Sequence, residues 1–562
     1  MSSFYANKPW LKQYADYVPS EFAIPQKSMI DIFEEVAAAR PDAPAIHYFH
    51  DTISYGTLNE WADRFSSLLA ENGVGKGDRV AVYTQNNPHF LIVVYGAWKR
   101  GAIVVPLNPM FKEKELKYHL NDSAAKVLVA LDSLYEQFGR SVVPNTQVQV
   151  VVTCHESDFV SDISAVPMLE KTRKLPVTDT IDMITTLSEI QVDAVGRDRV
   201  AVEPGDIALL VYTSGTTGQP KGAMNLHSNL AFNAEVYQRW MQLEENDKVL
   251  GIAPLFHITG IVAHMCVAPL AGIPIVLLHR FDPEAVLNFT EKWQPTMTVG
   301  SITAYIALMN TPSAAIRNFR SMVKCYSGGA PIPPSIVENF QKKMGPYIHN
   351  VYGLTESNSP LTAAPFGVAA PVDKASGALS VGVPIPNCEV RILALEDPNK
   401  EAGVGEEGQL AAKGPMIFAG YWNKPEATEK AFHDGFFLTG DVAVMDENGY
   451  LYIVDRKKDM IIVSGFKVWP REVEDVLYQH PAVKEAAVVG VPDPYRGETV
   501  KAFVSIKDEY LGNVMAEEIK QFCKERLAAY KYPRMVEILD QIPKTTSGKF
   551  LRRELRDRTV NQ

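Results

Sequence analysis

The 562-residue chain has few cysteines and lacks any spacing that would pair them or bind zinc. The five cysteines lie far apart and form no CxxC motif. This excludes a disulfide framework and a structural zinc site, and it favours a reducing compartment. The segment from Met1 to Tyr17 also lacks the apolar core and small-residue cleavage site of a secretory signal. We therefore predict a cytoplasmic protein.

Long uncharged runs are also scarce, and one needs an explanation. Residues 258–278 contain no Asp, Glu, Lys or Arg, and this length approaches that of a membrane span. Pro269, Gly272 and Pro274 interrupt the run, and its Ile-Val-Leu-Leu end is typical of a core strand. We predict a buried helix, turn and strand and no transmembrane segment, which leaves peripheral membrane contact open.

Positive charge is in deficit, with 66 acidic against 55 basic residues and a net charge of −11. No overall field therefore attracts nucleic acid, and a nucleic-acid partner is not expected. The share of hydrophobic residues, 46%, is ordinary for a globular protein. The length exceeds what a single core usually supports, so at least two domains are expected.

Helix-like and strand-like patterns alternate through the first part of the chain. The amphipathic run Met29 to Ala39 precedes a strand-like segment, Ala45 to Tyr48. A helix from Leu91 to Arg100 followed by an apolar strand, Ile103 to Pro106, has the order of a βαβ unit. The pattern predicts an α/β fold of layered subdomains.

The character of the chain changes near its C-terminal end. From Glu401 onward short strands separated by glycine-rich turns predict a β-rich subregion. Beyond it a compact α/β module has helix candidates at Pro470 to His480 and Met515 to Ala528. Its strand candidates are Ala486 to Gly490 and Ala502 to Ile506. The pattern places a domain boundary near residues 455–458.

A loop rich in glycine and hydroxyl groups directly follows the apolar strand Ile207 to Val211. It reads Thr213-Ser214-Gly215-Thr216-Thr217-Gly218-Gln219-Pro220-Lys221-Gly222. Glycines let backbone N–H groups approach an anion, hydroxyls add donors, and Lys221 supplies a positive charge. It is not a Walker loop, because the lysine follows Pro220 and precedes Gly222. The loop predicts phosphate binding.

The loop and six later motifs resemble the acyl-adenylate-forming superfamily of acyl-CoA synthetases, luciferases and peptide-synthetase adenylation domains. The later motifs are Ser327-Gly328-Gly329-Ala330-Pro331, Tyr352-Gly353-Leu354-Thr355-Glu356, Thr439-Gly440-Asp441, Asp455-Arg456, Gly465-Phe466-Lys467 and Pro543-Lys544-Thr545-Thr546-Ser547-Gly548-Lys549. They match the superfamily in order and spacing from about Ser28 to Arg553. The resemblance implies a large ATP- and acyl-binding domain over residues 1–457 and a small mobile C-terminal domain over residues 458–562. It implies a hinge at 455–459 that pivots on Lys458.

The resemblance implies that ATP and coenzyme A (CoA) are co-substrates. The implied ATP contacts are Thr213, Ser214, Gly215, Thr216, Thr217, Gly218, Lys221, Gly329, Ala330, Pro331, Asn350, Tyr352, Gly353, Thr355, Asp441, Arg456 and Lys549. Tyr352 would flank the adenine, and Asp441 would accept hydrogen bonds from the ribose hydroxyls. Glu356 and Thr217 are the implied ligands of Mg²⁺, for which a hard carboxylate is suited. The implied CoA contacts are Gly465, Phe466 and Lys467.

Lys549 is the implied main catalytic residue, together with His257, Thr355 and Glu356. When a carboxylate attacks the α-phosphorus, negative charge accumulates on the phosphoryl oxygens, and a fixed cation stabilises that state. By spacing alone, Lys549 fits a solvated basic tail beside Arg552 equally well. The matched motif assigns it to the adenylation step.

His257 matches the superfamily position between the acid and the adenylate, although a lone histidine in an apolar run is commonly a core residue. The residues Phe256-His257 stand where amino-acid-activating domains usually have an aspartate, which argues against amino acids as substrates. The predicted acyl pocket is mostly apolar, and small residues such as Gly260, Gly300 and Gly328 would leave room for a chain. Its walls are His257, Ile258, Thr259, Ile261, Val262, Gly300, Ser301, Tyr305, Gly328 and Leu354.

The predicted function is a fatty acid–CoA ligase that forms acyl-AMP from Mg·ATP and a medium- to long-chain acid. Three alternatives stay open: a ligase for aryl or other carboxylic acids, an enzyme that loads a carrier-protein thiol, and a nucleotide-binding regulatory protein without turnover. Chain length cannot be read, because one methylene changes selectivity by only about 1–3 kcal/mol. A homodimer is also left open.

Overall fold

The computed structural model describes residues 4–170, 172–176, 178–191, 200–213, 219–374, 377–464, 466–544 and 550–560. Two large sheets lie in the first part of the chain. Their strands among the described residues are β1 Pro44–Tyr48, β2 Asp51–Ser54, β3 Arg79–Tyr83, β4 Ile103–Pro106, β5 Val127–Leu131, β6 Val150–Cys154, β7 Ile181–Asp182, β8 Ile207–Thr213, β9 Lys221–Leu226, β10 Val249–Leu250, β11 Ile275–Leu277, β12 Met297–Gly300, β13 Lys324–Ser327, β14 Ile348–Tyr352, β15 Thr362–Ala363 and β16 Val383–Pro384.

Both sheets are mostly parallel. The first has the order β7-β6-β5-β3-β4-β8-β9 and becomes antiparallel at β9. The second has the order β16-β15-β14-β13-β12-β10-β11-β1-β2 and becomes antiparallel at both ends. Parallel neighbours require crossover connections, and helices supply most of them. The predicted α/β class is confirmed.

Helices alternate with the strands along the chain up to the β-rich subregion. Those of five or more residues include Met29–Ala39, Tyr55–Glu71, Pro88–Lys99, Glu113–Ser123, Met183–Glu189, His227–Trp240, Val267–Ala271, Pro283–Trp293, Ile302–Asn310, Pro334–Met344 and Pro425–Lys430. Every residue of Pro88–Lys99 is buried, because most of this helix is apolar and its charged Lys99 pairs with Glu34 and Asp63. Its Trp98 donates to the carbonyl of Ala208 in β8, and its Tyr95 donates to the carbonyl of Met265.

The uncharged run 258–278 is a buried helix, turn and strand, as predicted. Short helical segments at Ile258–Gly260 and Val267–Ala271 enclose a π-helical segment, Ile261–Cys266. Gly272 ends the helix Val267–Ala271 in the left-handed conformation with φ of 65°, and β11 follows. Within the described ranges, each helix is too short or too polar to span a bilayer.

A third sheet forms the predicted β-rich subregion. Its strands in the described chain are β17 Glu389–Ala394, β18 Gly408–Lys413, β19 Phe432–His433, β20 Phe436–Met445 and β21 Leu451–Arg456. The sheet is antiparallel with the order β17-β18-β20-β19, and β21 pairs with β20. The main hydrophobic core extends through this region as far as Tyr452 and the partly buried Ile453.

The C-terminal part has its own sheet and its own core, which begins at Ile461. Its described strands and helices are β22 Ile461–Val463, β23 Phe466–Val468, β24 Val483–Asp493, β25 Gly497–Ile506, β26 Met535–Ile538, Pro470–Tyr478, Ala516–Lys524 and Arg552–Val560. The strands β24 and β25 are longer than predicted because they pair with each other along nearly their whole length. The second predicted helix is shorter and ends at Lys524 instead of Ala528.

Candidate active site

The two ends of the phosphate loop lie side by side. Thr213 is the last residue of β8, Lys221 is the first residue of β9, and the two are register partners. The antiparallel pairing therefore closes the loop as a hairpin and brings Lys221 to its base. Five predicted ATP contacts of the loop, Ser214, Gly215, Thr216, Thr217 and Gly218, lie outside the described residues.

Three residues assigned to the nucleoside by resemblance come together. The hydroxyl of Tyr352 donates to Oδ2 of Asp441 at 2.6 Å. Nε of Arg456 lies 3.4 Å from Oδ1 of the same carboxylate, because Asp441 in β20 and Arg456 in β21 are register partners. Burial, and then the charge of Asp441, raises the pKa of Tyr352, so this hydroxyl stays a donor.

The predicted adenine slot lies at the ends of β13 and β14. Gly329 has φ of 83°, a left-handed conformation that suits glycine, and it opens the turn toward Ala330 and the exposed Pro331. Asn350 in β14 is buried and donates to the carbonyl of Ser380 at 3.0 Å. Gly353 permits close approach of the chain, since a Cβ there would lie 3.1 Å from Cα of Ser359.

A short 3₁₀ turn, Thr355–Ser357, carries the predicted magnesium ligand Glu356. Asn225 donates to the carbonyl of Thr355 at 3.0 Å, and Asn233 donates to the carbonyl of Ser357 at 2.9 Å. The N–H of Phe418 donates to the carbonyl of Glu356 at 2.9 Å. Buried side-chain amides and the β-rich subregion therefore hold the backbone that presents this carboxylate.

Tyr421 is a site residue that sequence reasoning missed. Its hydroxyl donates to Oε1 of Glu356 at 2.8 Å, and Nζ of Lys221 lies 4.0 Å from the centroid of its ring. An aromatic residue after a glycine turn is usually a core residue, so local sequence carries no signal for this contact. The tertiary pairing of residues 419–422 with β9 creates it.

The described residues fit the predicted Mg²⁺. Mg²⁺ prefers hard oxygen ligands, takes few of them from the protein and keeps several waters. Glu356 offers such a carboxylate, half-buried and fixed by Tyr421, in the same neighbourhood as Lys221 at the base of the phosphate loop. The second predicted ligand, Thr217, lies outside the described residues.

His257 lies at the N-terminus of the helical segment that begins at Ile258. Its Nδ1 accepts from the N–H of Thr259 at 3.3 Å, which assigns the proton of the neutral ring to Nε2. The preceding loop is held by Asn86, which donates to the carbonyl of Ala253 at 2.9 Å and accepts from the N–H of Leu255 at 2.8 Å. This half-buried ring is therefore presented on a rigid loop.

The other predicted pocket residues divide into two groups. Ile258, Ile261 and Tyr305 are fully buried in the main core, and the hydroxyl of Tyr305 donates to the carbonyl of Tyr326 at 2.8 Å. Val262 is buried in the same core, and Gly300 is buried at the end of β12. The other four, Thr259, Ser301, Gly328 and Leu354, are partly accessible. Ser301 caps the helix Ile302–Asn310 and accepts from the N–H of Ala304 at 3.4 Å.

One expectation about the pocket is wrong. Gly260 and Gly328 do not open room for an acyl chain, because a Cβ at either position would overlap a backbone carbonyl oxygen, of Pro254 or of Val351. At Gly300 a Cβ would lie 2.8 Å from the end of the Ile252 side chain. These glycines permit close packing of the backbone and of core side chains.

The predicted hinge residue Lys458 lies in a 3₁₀ turn, Lys457–Asp459, between β21 and β22. Burial, and then the positive charge of Arg456, lowers the pKa of Lys458 to about 8. Of the predicted CoA contacts, Lys467 pairs with Glu396 at 2.6 Å, while Phe466 is 56% exposed and stacks on Tyr530 with a centroid distance of 4.7 Å. Gly465 and Lys549 lie outside the described residues.

A buried ion cluster joins the hinge to the last helix. Arg552 donates to both carboxylate oxygens of Glu474 at 2.8 and 2.9 Å. It also lies 3.4 Å from Asp459 and 3.6 Å from Asp455, on the two sides of Lys458. The last helix is therefore anchored through Arg552 to residues 455–459, the predicted hinge segment.

Comparison with known proteins identifies the family. Residues 33–422 match the AMP-binding enzyme family, and residues 472–549 match the C-terminal domain of AMP-binding enzymes. The chain belongs to the AMP-binding enzyme family. It is 38% identical over 559 residues to the long-chain-fatty-acid–CoA ligase of Bacillus subtilis (strain 168), with 98% of each chain covered.

Two further relatives show the range of acids within the family. The feruloyl-CoA synthase of an Amycolatopsis species is 34% identical, with 93% of this chain and 97% of the relative covered. The crystal structure of an anthranilate CoA ligase in complex with anthranoyl-AMP superposes with a TM-score of 0.84 at 25% identity, with 96% of this chain and 98% of that chain covered. The family thus includes relatives named for aliphatic and for aromatic acids.

Proposed function

We propose that the protein is an AMP-forming acyl-CoA ligase that activates a medium- to long-chain fatty acid. The observation that carries the proposal is the arrangement around β14. Tyr352 binds Asp441 on one side, and a few residues later Glu356 contacts Tyr421, whose ring lies beside Lys221. This arrangement brings a ribose acceptor, a magnesium ligand and a phosphate cation from distant parts of the chain to the segment Tyr352 to Glu356.

In the first half-reaction, ATP binds with its ribose on Asp441 and its adenine beside Tyr352. Glu356 would hold Mg²⁺, which when bound neutralises charge on the phosphates, and Lys221 interacts with the terminal phosphates. An oxygen of the acid attacks the α-phosphorus, pyrophosphate leaves with the electron pair, and acyl-AMP forms. Lys549 stabilises the charge that accumulates during this displacement, and Thr355 bonds the α-phosphate.

In the second half-reaction, the CoA thiolate attacks the acyl carbonyl, AMP leaves and the thioester forms. The two steps need different surfaces, since Lys549 occupies the site in the first step and the CoA arm must enter in the second. We propose a large domain over residues 1–457 and a mobile domain over residues 458–562, with a hinge at 455–459 pivoting on Lys458. Support comes from the two separate hydrophobic cores: the main core extends as far as Ile453, and the C-terminal core begins at Ile461.

By the resemblance, His257 stands between the acid and the adenylate. We propose that its Nε2–H orients the carboxylate, while Gly465, Phe466 and Lys467 line the CoA path. Lys467 must leave Glu396 to bind a CoA phosphate, which costs little because this ion pair is exposed.

The acid itself is proposed from the relatives and from the apolar character of the pocket walls. The experiment is a panel of acids assayed for acid-dependent pyrophosphate release, followed by CoA-dependent AMP release. We expect octanoate and palmitate to be preferred over benzoate and ferulate.

A second candidate is an aryl acid–CoA ligase, which the feruloyl-CoA synthase relative favours. Preference for benzoate or ferulate in the panel would select it and contradict the fatty-acid assignment. Acid-dependent pyrophosphate release without any CoA-dependent AMP release would instead indicate a carrier-protein thiol as the acceptor. A cytoplasmic location, a role in fatty acid metabolism and a homodimer stay predictions.

A further inference from the structure

Tyr421 lies on a segment that runs beside β9. The N–H of Met224 donates to the carbonyl of Gly420 at 2.9 Å, and the N–H of Trp422 donates to the carbonyl of Gly222 at 2.8 Å. These bonds lie on both sides of Tyr421 and fix its backbone against the strand that begins at Lys221. The position of the ring is therefore set by the same strand that closes the phosphate loop.

The hydroxyl of Tyr421 acts on Glu356. It donates to Oε1 at 2.8 Å, and the residue is only 7% exposed. A hydrogen bond to one oxygen restricts rotation of the carboxylate, and a carboxylate oxygen that accepts it keeps a further lone pair.

The ring of Tyr421 acts on Lys221. The ammonium nitrogen lies 4.0 Å from the ring centroid, within the range of a cation–π contact. Phe418 packs edge-on against the same ring, with the two ring centroids 4.8 Å apart, and restricts rotation of the Tyr421 ring away from Lys221. A flexible four-carbon side chain is thereby held on one side of the loop base.

We propose that Tyr421 is a positioning residue that aligns Glu356 and Lys221 for the triphosphate of Mg·ATP. The hydroxyl of Tyr421 orients the carboxylate of Glu356, and its ring holds the ammonium group of Lys221 in position. The inference rests on the roles proposed above for Glu356 and Lys221, and it adds a residue that holds both groups without touching the reacting atoms.

The experiment separates the two contacts by ATP binding, without turnover. Titration calorimetry on the full chain gives the affinity for ATP with Mg²⁺, for ATP with EDTA, and for AMP with EDTA. In Tyr421→Phe the gain in ATP affinity on adding Mg²⁺ should fall by about tenfold, because the carboxylate loses a charged hydrogen bond. The preference for ATP over AMP in EDTA should change by less than about twofold, since the ring remains.

Tyr421→Leu should lower both the gain in ATP affinity on adding Mg²⁺ and the preference for ATP over AMP in EDTA. The preference should fall by about threefold or more, because Lys221 loses its aromatic partner. The matched control is Tyr452→Phe, which removes a tyrosine–carboxylate hydrogen bond of the same kind, to Asp446 at 3.1 Å, in the same sheet region. It should leave both ratios unchanged.

If Tyr421→Phe gains as much ATP affinity from Mg²⁺ as the wild-type chain does, the positioning role is overturned. This variant is the decisive test because it preserves the shape of the core. An unchanged ATP preference in a folded Tyr421→Leu would overturn the role of the ring. Failure of the wild-type chain to release pyrophosphate with any acid would contradict the proposed function, and the binding ratios would still decide the role of Tyr421.

Discussion

The hydroxyl of Tyr352 lies 2.6 Å from Oδ2 of Asp441, and this bond joins the end of β14 in the second large sheet to the β-rich subregion. It fixes a carboxylate whose other oxygen faces Arg456. A ribose acceptor that is already oriented costs less entropy to use when ATP binds. The same bond is therefore structural and part of the proposed nucleotide site.

The first prediction concerns this pair. Tyr352→Phe keeps the ring that we propose flanks the adenine and removes only the donor, so the dissociation constant of ATP should rise by about tenfold. Titration calorimetry measures it, with pyrophosphate as the internal control, because pyrophosphate has no ribose and should bind as to wild type. An equal loss for ATP and pyrophosphate would show that the bond does not act through the ribose.

The second prediction concerns Lys458. Its pKa of about 8 lies below the 10.5 of an ordinary lysine, so the folded chain binds fewer protons than the unfolded chain between these values. Lys458 therefore makes the free energy of unfolding rise with pH between about 8 and 10.5. Below about pH 8, desolvation of its charged ammonium group destabilises the fold. Competitive acetylation read by mass spectrometry should give a midpoint near pH 8 for Lys458. A midpoint near 10.5 would contradict the lowered pKa of Lys458 beside Arg456.

The third prediction concerns the ion cluster of Arg552. Arg552→Ala leaves Glu474 and Asp455 buried without their cation, and this should lower the free energy of unfolding by about 3 kcal/mol. Denaturant titration of the full chain measures it. The control is Arg553→Ala, since that side chain is exposed and pairs with Asp557 one turn along at 3.8 Å; a change below about 0.5 kcal/mol is expected. Equal effects of the two substitutions would contradict the anchoring of the last helix at the hinge.

The fourth prediction concerns Gly260. A Cβ there would overlap the carbonyl oxygen of Pro254, so Gly260→Ala should lower the free energy of unfolding by more than about 2 kcal/mol. Gly205→Ala is the control, because nothing lies within 4 Å of a Cβ at that position, and its effect should stay below about 1 kcal/mol. A fully stable Gly260→Ala that accepts shorter acids would restore the open-pocket interpretation.

The local periodicity of the sequence was sufficient for much of the fold. The helix Met29–Ala39 has the predicted bounds, because the amphipathic pattern runs along it and Ser28 caps its N-terminus together with Asp31. The βαβ order around Ile103–Pro106 could likewise be predicted, since apolar strands and a glycine-terminated helix are local features of the sequence.

Contacts between distant segments could not be predicted in this way. Tyr421 meets Glu356 and Lys221 only because residues 419–422 pair with β9, and local patterns do not encode such pairing. Gly260 was misread for a related reason, because the space beside a glycine is set by whichever segment packs there. Charge pairs between distant side chains, such as Lys467 with Glu396, depend on tertiary structure in the same way.

The most direct test of the proposed two-step mechanism separates its half-reactions in Lys549→Ala. Acid-dependent exchange of labelled pyrophosphate into ATP, without CoA, reports adenylation, and AMP release from supplied acyl-AMP and CoA reports thioester formation. We expect exchange to fall by at least about a hundredfold while thioester formation stays within a few fold of wild type. An equal loss in both half-reactions, or undiminished exchange, would contradict the proposed mechanism.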